Sequence, residues 1–408
     1  MKVKANLLWC VGLLSTIFCL LFIFYGYNNT WMLWNVPTLS PHFADLRAIT
    51  AGAESYAKGY EPMISNPCDP WNRSLNYPRV WQCLYSIGVN QTHTTYIGIG
   101  LICVFLVGIC LLWSRINNTT LVFIIAAIVS PAVLLGIERA NIDLLMFFLL
   151  AGSVMAVKKN HIMSTALILF GFILKLYPVF GIVVLLRKDR SIFIASSVIC
   201  IVVAFVYTFF NFDDLVIISK ATPRSTSLSY GVNVIWMKVM SNHPTAGVFA
   251  KILSYGAVLS LLLYAFLSML RDDLPTEDEE APYIDSFRVG SAIYLGTFLL
   301  GNNWDYRLMF LIFTIPQLLW WANCTSRAFS RTSKSTLACL YVSMWYLMIA
   351  RVFNYFISDS NVSFLLDEFS NWWVFAGLLF LLFLSMPKWV KKCAQCAMES
   401  ASITKRFT

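Results

Sequence analysis

Ten apolar runs limit what this chain can fold into: residues 7–26, 95–113, 121–137, 141–157, 162–186, 191–210, 246–269, 289–322, 336–357 and 371–387. Most approach the length a helix needs to cross a bilayer, about 20 residues. In hydrocarbon every backbone N–H and C=O must be satisfied inside the segment, which leaves helices for runs of this kind. Charge is scarce to match: 12% of the 408 residues are charged and 58% hydrophobic, against about a quarter charged in soluble domains. The expected fold is an all-α polytopic membrane protein, one membrane-embedded domain over residues 1–408. The first run follows Met1-Lys2-Val3-Lys4 and precedes Tyr25-Gly26-Tyr27-Asn28. With no small-residue cleavage site there, it reads as a retained signal anchor.

The net charge is +9. In a membrane protein such an excess marks cytoplasmic loops, and no basic, aromatic-interleaved patch points to nucleic acid. Most of the eleven cysteines lie in apolar runs, as small hydrophobes. Cys68 and Cys83 share one long loop, and the sequence leaves open whether they pair. Cys393 and Cys396 form a lone CxxC with no second pair or nearby histidine, a poor zinc or redox site. No metal or cofactor is expected.

Two runs carry charge in their middle. Residues 289–322 are too long for one span and contain Gly301-Asn-Asn-Trp-Asp-Tyr-Arg307, which cannot face lipid. A hairpin of two short helices fits. The tail (residues 388–408) carries Lys388, Lys391, Lys392, Lys405 and Arg406, so it is expected in the cytoplasm with the N-terminus. The crossings are then even in number, and 162–186 must also be a hairpin, giving about 12 segments. Its tip is Lys175-Leu-Tyr-Pro178, roughly 20 Å deep at 1.5 Å per residue, and a lysine there needs a counter-charge or an anionic ligand. The other face receives a large first loop (27–93), the turn Glu138–Asn141, both polar tips, and loops 211–245 and 358–370. Cytoplasmic loop 271–288 carries Glu277–Glu280, a solvated acidic face. No Walker loop and no GxGxxG after a strand is present. Chemistry is therefore expected on the outer face, with a substrate that needs no ATP there. Sequons fall on both faces, at Asn28, Asn72, Asn90 and Asn361 and at Asn117, Asn118 and Asn323, and no retention signal ends the chain. A bacterial inner (plasma) membrane is the favoured location.

Ser40-Pro41 resembles the start of a helix. Phe43, Leu46, Ile49, Ala53 and Ala57 recur at helical spacing before Gly59. The expectation is an amphipathic helix over about 41–58, lying on the membrane. Asp45 in its first turn is either a helix-dipole carboxylate or a reactive acid, with Arg47 beside it. The loop "NPCDPWNRSLNYPRVW" (66–81) is either an interfacial anchor or a wall for a sugar or lipid headgroup, with Tyr77 in it and Arg79 toward an anion. Glu138, Arg139, Asn141 and Asp143 open a helix. Arg139, Lys175 and Arg307 are expected at similar depth, and converging cations suit a phosphate or pyrophosphate. Glu138, Asp143 and Asp305 are the competing internal partners.

In serial order, "FADLRAITAGAESYAKGYEPM", "NYPRVW", "ERANIDLLMFFLLAG", "ILKLYPVFGIVVLL" and "WDYRLMFLIFTIP" resemble the GT-C membrane glycosyltransferases, most closely glycosyltransferase family 87 (the DUF2029 type). The resemblance covers nearly the whole chain and rests on order more than on any one short motif. It implies a polyprenyl-phosphate sugar donor, a lipid-linked or envelope glycan acceptor, and a catalytic carboxylate at Asp45. It maps the helix-opening Arg/Asn/Asp onto Arg139, Asn141 and Asp143, and Lys-x-x-Pro onto Lys175 and Pro178. On that basis Asp45 is the expected general base of an inverting transfer. Lys175 with Arg139 or Arg307 would bind phosphate, and Glu138 or Asp143 would orient sugar hydroxyls. Arg47, Tyr77, Arg79, Tyr177 and Asp305 complete the candidate substrate-binding set. The alternative is a transporter or flippase of an anionic lipid-linked saccharide, because polar-tipped hairpins also occur in transporters.

Overall fold

The structure, a computed structural model, describes residues 2–113, 116–271, 283–357 and 360–404. Glu277–Glu280, Lys405 and Arg406 lie outside these residues. Among the described residues the regular elements are helices, apart from a two-residue antiparallel bridge.

Five helices are long and apolar enough to cross a membrane: Asn6–Tyr25, Gln91–Leu112, Arg190–Phe210, Pro244–Met269 and Asn361–Leu384. Two bent pairs raise the number to as many as seven. The first, Asn118–Ile128 with Pro131–Glu138, turns by 51°. Pro131 has no N–H to continue the ladder, and Ser130 Oγ caps the new helix at the Val133 N–H, 3.5 Å away. The second, Arg327–Met344 with Tyr346–Phe356, turns by 73°. Burial separates these spans. Only 11% of the apolar window is buried in Asn6–Tyr25 and in Arg190–Phe210, against 61% in Asn361–Leu384. The first two turn most of their surface outward, and the last is an interior element. The expected loop 358–370 is mostly the beginning of that interior helix, Ser360–Leu384.

The two charged runs break where their polar residues stand. Helix His161–Leu174 ends at Lys175, and a 3₁₀ helix, Tyr177–Arg187, follows. Helix Ile284–Leu300 ends at Gly301, and a second 3₁₀ helix, Asp305–Thr314, follows. Such runs are long for 3₁₀ geometry, which often marks functional places when extended. Both 3₁₀ helices start at a polar tip. The second packs its Phe310 and Phe313 on Phe147, with ring centroids 6.1 and 4.6 Å apart. Phe147 belongs to the central helix Asp143–Val157, so one element joins the core to both tips.

The second tip is clasped by the bridge, in which Ser229 pairs with Trp304 and Tyr230 with Asn303. Beside it Gly231 has φ +135°, and a Cβ there would lie 2.3 Å from the Gly301 carbonyl oxygen. Both facts require glycine. Gly231→Ala is expected to destabilise the protein by about 2 kcal/mol or more. Gly256→Ala, whose Cβ meets nothing within 4 Å, is expected to be neutral or stabilising. Melting of the two variants in detergent checks this, and equal transitions would refute it.

The first loop holds helices Tyr27–Leu33 and Ala44–Ala57 and the 3₁₀ turn Arg79–Ile87. Helix Ala44–Ala57 corrects the expectation of a membrane-surface helix over 41–58. Ala44, Leu46, Ala48, Ile49, Thr50, Ala51, Ala53 and Ser55 are all buried, on more than one face. Its small residues let neighbours close on it, and its polar ones are satisfied inside. Thr50 and Thr94 hydroxyls lie 2.7 Å apart, and Ser55 Oγ donates to Asn66 Oδ1 at 2.8 Å. Ser40 is no cap either. The Ser40–Pro41 peptide is cis, Phe43 is left-handed at φ 63°, and the helix starts at Ala44. Cys68 and Cys83 are free thiols, and Lys58 Nζ donates to Cys68 Sγ at 3.3 Å.

Candidate active site

The site is built on one turn. Helix Pro131–Glu138 ends, and Ala140 takes a left-handed conformation at φ 46°. The Asn141 N–H closes back on the Gly136 carbonyl at 3.0 Å. This is a helix-ending geometry that glycine usually fills, so an alanine there holds strain next to the polar cluster. The turn frees the Arg139 carbonyl, which accepts the N–H groups of Asp45 at 3.2 Å and Leu46 at 3.4 Å. Another part of the chain thus caps helix Ala44–Ala57 and fixes Asp45 against the turn. Asn141 Oδ1 in turn caps the next helix, accepting the Asp143 N–H at 2.9 Å.

Asp143 is fully buried and is the hub of the charges. Its Oδ1 lies 2.7 Å from Lys175 Nζ and accepts the Tyr177 hydroxyl at 2.5 Å. Its Oδ2 accepts Arg307 Nε at 3.3 Å. Two cations thus share one carboxylate. Lys175 also donates to Asn141 Oδ1 at 3.0 Å. The rings of Tyr77, Tyr177 and Tyr306 surround its ammonium at 5.4, 5.9 and 5.9 Å, within cation–π range. Arg307 sits 5.0 Å from the Tyr177 ring centroid and also donates to Asn303 Oδ1. From the first loop, Trp81 Nε1 donates to the Leu174 carbonyl at 3.0 Å, tying that loop to the Lys175 tip.

In front of this network lies a cavity of about 240 Å³. Among the described residues on its wall Asp45 is the one carboxylate, and Arg73, Arg139, Lys175 and Arg307 are the cations. Tyr77, Tyr306, Trp304 and the amides of Asn76 and Asn302 also line it. Asp45 Oδ2 accepts Asn141 Nδ2 at 2.6 Å, so base candidate and cation cluster are joined through one side chain.

The remaining expected residues fall elsewhere. Arg47 donates to the His42 carbonyl and to Gln91 Oε1, both at 2.7 Å, and is a brace of the first loop. Arg79 is half-exposed between Glu61 at 2.8 Å and Asp214 at 2.7 Å. Its guanidinium holds the Asp214 carboxyl below the usual range and clamps the loop to helix Phe212–Ala221. Neither Glu138 nor Asp143 reaches the cavity, against the expectation that one of them orients sugar hydroxyls. Both are fully buried behind the cations they hold. Glu138 lies 3.2 Å from Arg139 and accepts the Leu39 N–H at 3.2 Å. Tyr177 is buried with its hydroxyl on Asp143. Asp305 is buried off the cavity, and its N–H bonds the Leu228 carbonyl at 2.9 Å.

Arg73 had not been singled out in the sequence. Asp69 grips it with both oxygens, at 2.8 and 3.1 Å. It donates to the Ala44 carbonyl at 2.7 Å and lies 4.5 Å from the Trp71 ring centroid. The Asp-x-x-x-Arg spacing was the available signal.

Among the described residues no group of three or more His, Cys, Asp or Glu is placed to hold a metal ion. The arrangement can hold an anion against several cations and present one carboxylate to a neighbouring hydroxyl. No curated protein and no solved structure matches the chain. The model of glycosyltransferase family 87 does match, over residues 91–277, a stretch containing the Glu138–Asp143 turn and Lys175. Over that stretch the chain is similar to a family of glycosyltransferases, and its five to seven helices able to cross a membrane suggest a multi-pass membrane protein.

Proposed function

We propose that the protein transfers a sugar from a polyprenyl-phosphate donor to a lipid-linked or envelope glycan acceptor, with inversion and with Asp45 as general base. The observation that carries this reading is the cavity wall on which one carboxylate, Asp45, stands among Arg73, Arg139, Lys175 and Arg307. A polyprenyl phosphate is already a good leaving group, so the reaction needs little acid assistance. It needs cations to take up the charge growing on the phosphate, and a base to accept the acceptor hydroxyl's proton. A base on the face opposite the leaving phosphate gives inversion at the anomeric carbon. Lys175 and Arg307 supply the charge, prepositioned by Asp143. Arg139 and Arg73 flank them, and Tyr77, Tyr306 and Trp304 offer faces to a sugar ring.

In the same reading, the five long helices and two bent pairs join with the shorter helices 143–157, 161–174, 177–187, 284–300 and 305–322. Counted so, they form about 12 segments around the site. Both termini lie in the cytoplasm of a bacterial inner membrane, and the first loop lies on the opposite face with the cavity.

The test supplies membranes containing the protein with a panel of radiolabelled polyprenyl-phosphate hexoses. Label moving to a larger lipid or glycan is expected with at least one donor. Label that crosses the bilayer without a new product would instead support the transport reading.

A further inference from the structure

Asn141 was expected to touch substrate, and its geometry assigns it another task. Its side chain is fully buried. Its Nδ2 donates to Asp45 Oδ2 at 2.6 Å and reaches the Tyr77 hydroxyl at 3.5 Å. Its Oδ1 accepts Lys175 Nζ at 3.0 Å and the Asp143 N–H at 2.9 Å. A side-chain amide has two donor hydrogens and two acceptor lone pairs, so all four positions are engaged inside the protein and none is left for a ligand. The amide cannot rotate by half a turn either. That would set its oxygen against the Asp45 carboxylate and its NH₂ against an ammonium and a backbone N–H. The side chain is locked in one orientation by groups of opposite kind at its two ends.

We infer that Asn141 is a positioning residue for the transfer: it holds Asp45 by one oxygen, leaves the other to take the acceptor's proton, and ties that placement to the phosphate-binding lysine. The inference rests on the proposed function and goes beyond it, because it assigns Asn141 to the base and not to the donor. It also gives the left-handed Ala140 a role, since that turn aims Asn141 between Asp45 and Lys175. A base displaced by about 1 Å loses roughly 10²-fold in rate, so a residue of this kind acts on turnover more than on binding.

The test compares wild type, Asn141→Asp and Asn141→Ser. Both substitutions keep an oxygen able to cap the Asp143 N–H. Asn141→Asp keeps the bond to Lys175 and replaces the donor to Asp45 with a second carboxylate oxygen. Asn141→Ser is too short to reach Asp45. The readouts are abundance, melting in detergent, and kcat and KM for a polyprenyl-phosphate sugar that wild type uses. Both variants are expected to fold with a lowered melting transition, because bonds of a buried amide are lost, Asn141→Asp the more so since its carboxylate stands against that of Asp45. Per folded protein both are expected to keep their KM and to lose about 10²-fold in kcat. A rise in KM at unchanged kcat would make Asn141 a donor contact and overturn the inference. Unchanged kcat and KM would reduce it to a helix cap. Absence of transfer by wild type from every donor removes the proposed function itself, an outcome separate from the failure of either variant.

Discussion

Asp45→Asn is expected to lower sugar transfer by about 10²–10⁴-fold, the usual contribution of a general base, while the protein accumulates and melts as wild type does. The substitution changes no shape. The backbone N–H of Asp45 still bonds the Arg139 carbonyl, so helix Ala44–Ala57 keeps its anchor. An asparagine oxygen can still accept Asn141 Nδ2 in place of Asp45 Oδ2. What is lost is the charge and the basic lone pair. Losing a carboxylate from a helix's first turn removes about 0.3–1 kcal/mol of dipole interaction, small beside the stability of a domain. Asp45→Glu keeps the base and displaces it, so its rate is expected to fall between the two. The measurement is transfer in membranes, normalised to the amount of folded protein. Wild-type turnover by Asp45→Asn would move the base to another group. The cavity wall offers no second carboxylate among the described residues, so the base would then have to belong to the substrate.

Much of this site was legible because charge inside an apolar run is conspicuous. Lys175 and the Asn302–Arg307 segment marked both tips, and the chain does break there, after Leu174 and after Leu300. The partner of Lys175 was not legible. Asp143 stands 32 positions earlier, and only packing of three segments shows that it serves Lys175, Tyr177 and Arg307 together. Hydrophobic spacing misled over residues 41–58, because it counts Leu46 and Ile49 on one stripe and ignores the small residues opposite. Ala44, Ala48, Ala51 and Ser55 are what allow other segments to cover the rest. The left-handed Phe43 and Ala140 carry no local signature, since glycine or asparagine is the residue type that announces such a turn. Arg73 was hidden for the opposite reason: an arginine four residues after an aspartate reads as a surface pair, whereas here Asp69 is buried and Arg73 reaches the cavity.

Asp143→Ala is expected to do more harm than any other single change at the site, and to do it through folding. Lys175 and Arg307 would lose their shared carboxylate, inside a protein whose surroundings there are tyrosine rings. Removing one member of a buried ion pair costs about 3–5 kcal/mol, a large part of the 5–15 kcal/mol typical of a folded domain. Loss of protein from the membrane and a strongly lowered melting transition are therefore expected, with transfer absent. Asp143→Asn keeps an acceptor for Lys175 but turns an NH₂ toward Arg307 or Tyr177, so its stability is expected to lie between alanine and wild type. The decisive comparison is the double change Asp143→Leu with Lys175→Met. It removes a charge of each sign, and Arg307 keeps its bond to Asn303. Abundance should recover toward wild type while transfer stays absent, because a pair can be replaced by apolar groups at little cost to stability but not at the phosphate. If Asp143→Ala melts like wild type, water must already be screening Lys175 and Arg307. The network would then be a solvated cluster, with no rigid cradle for an anion.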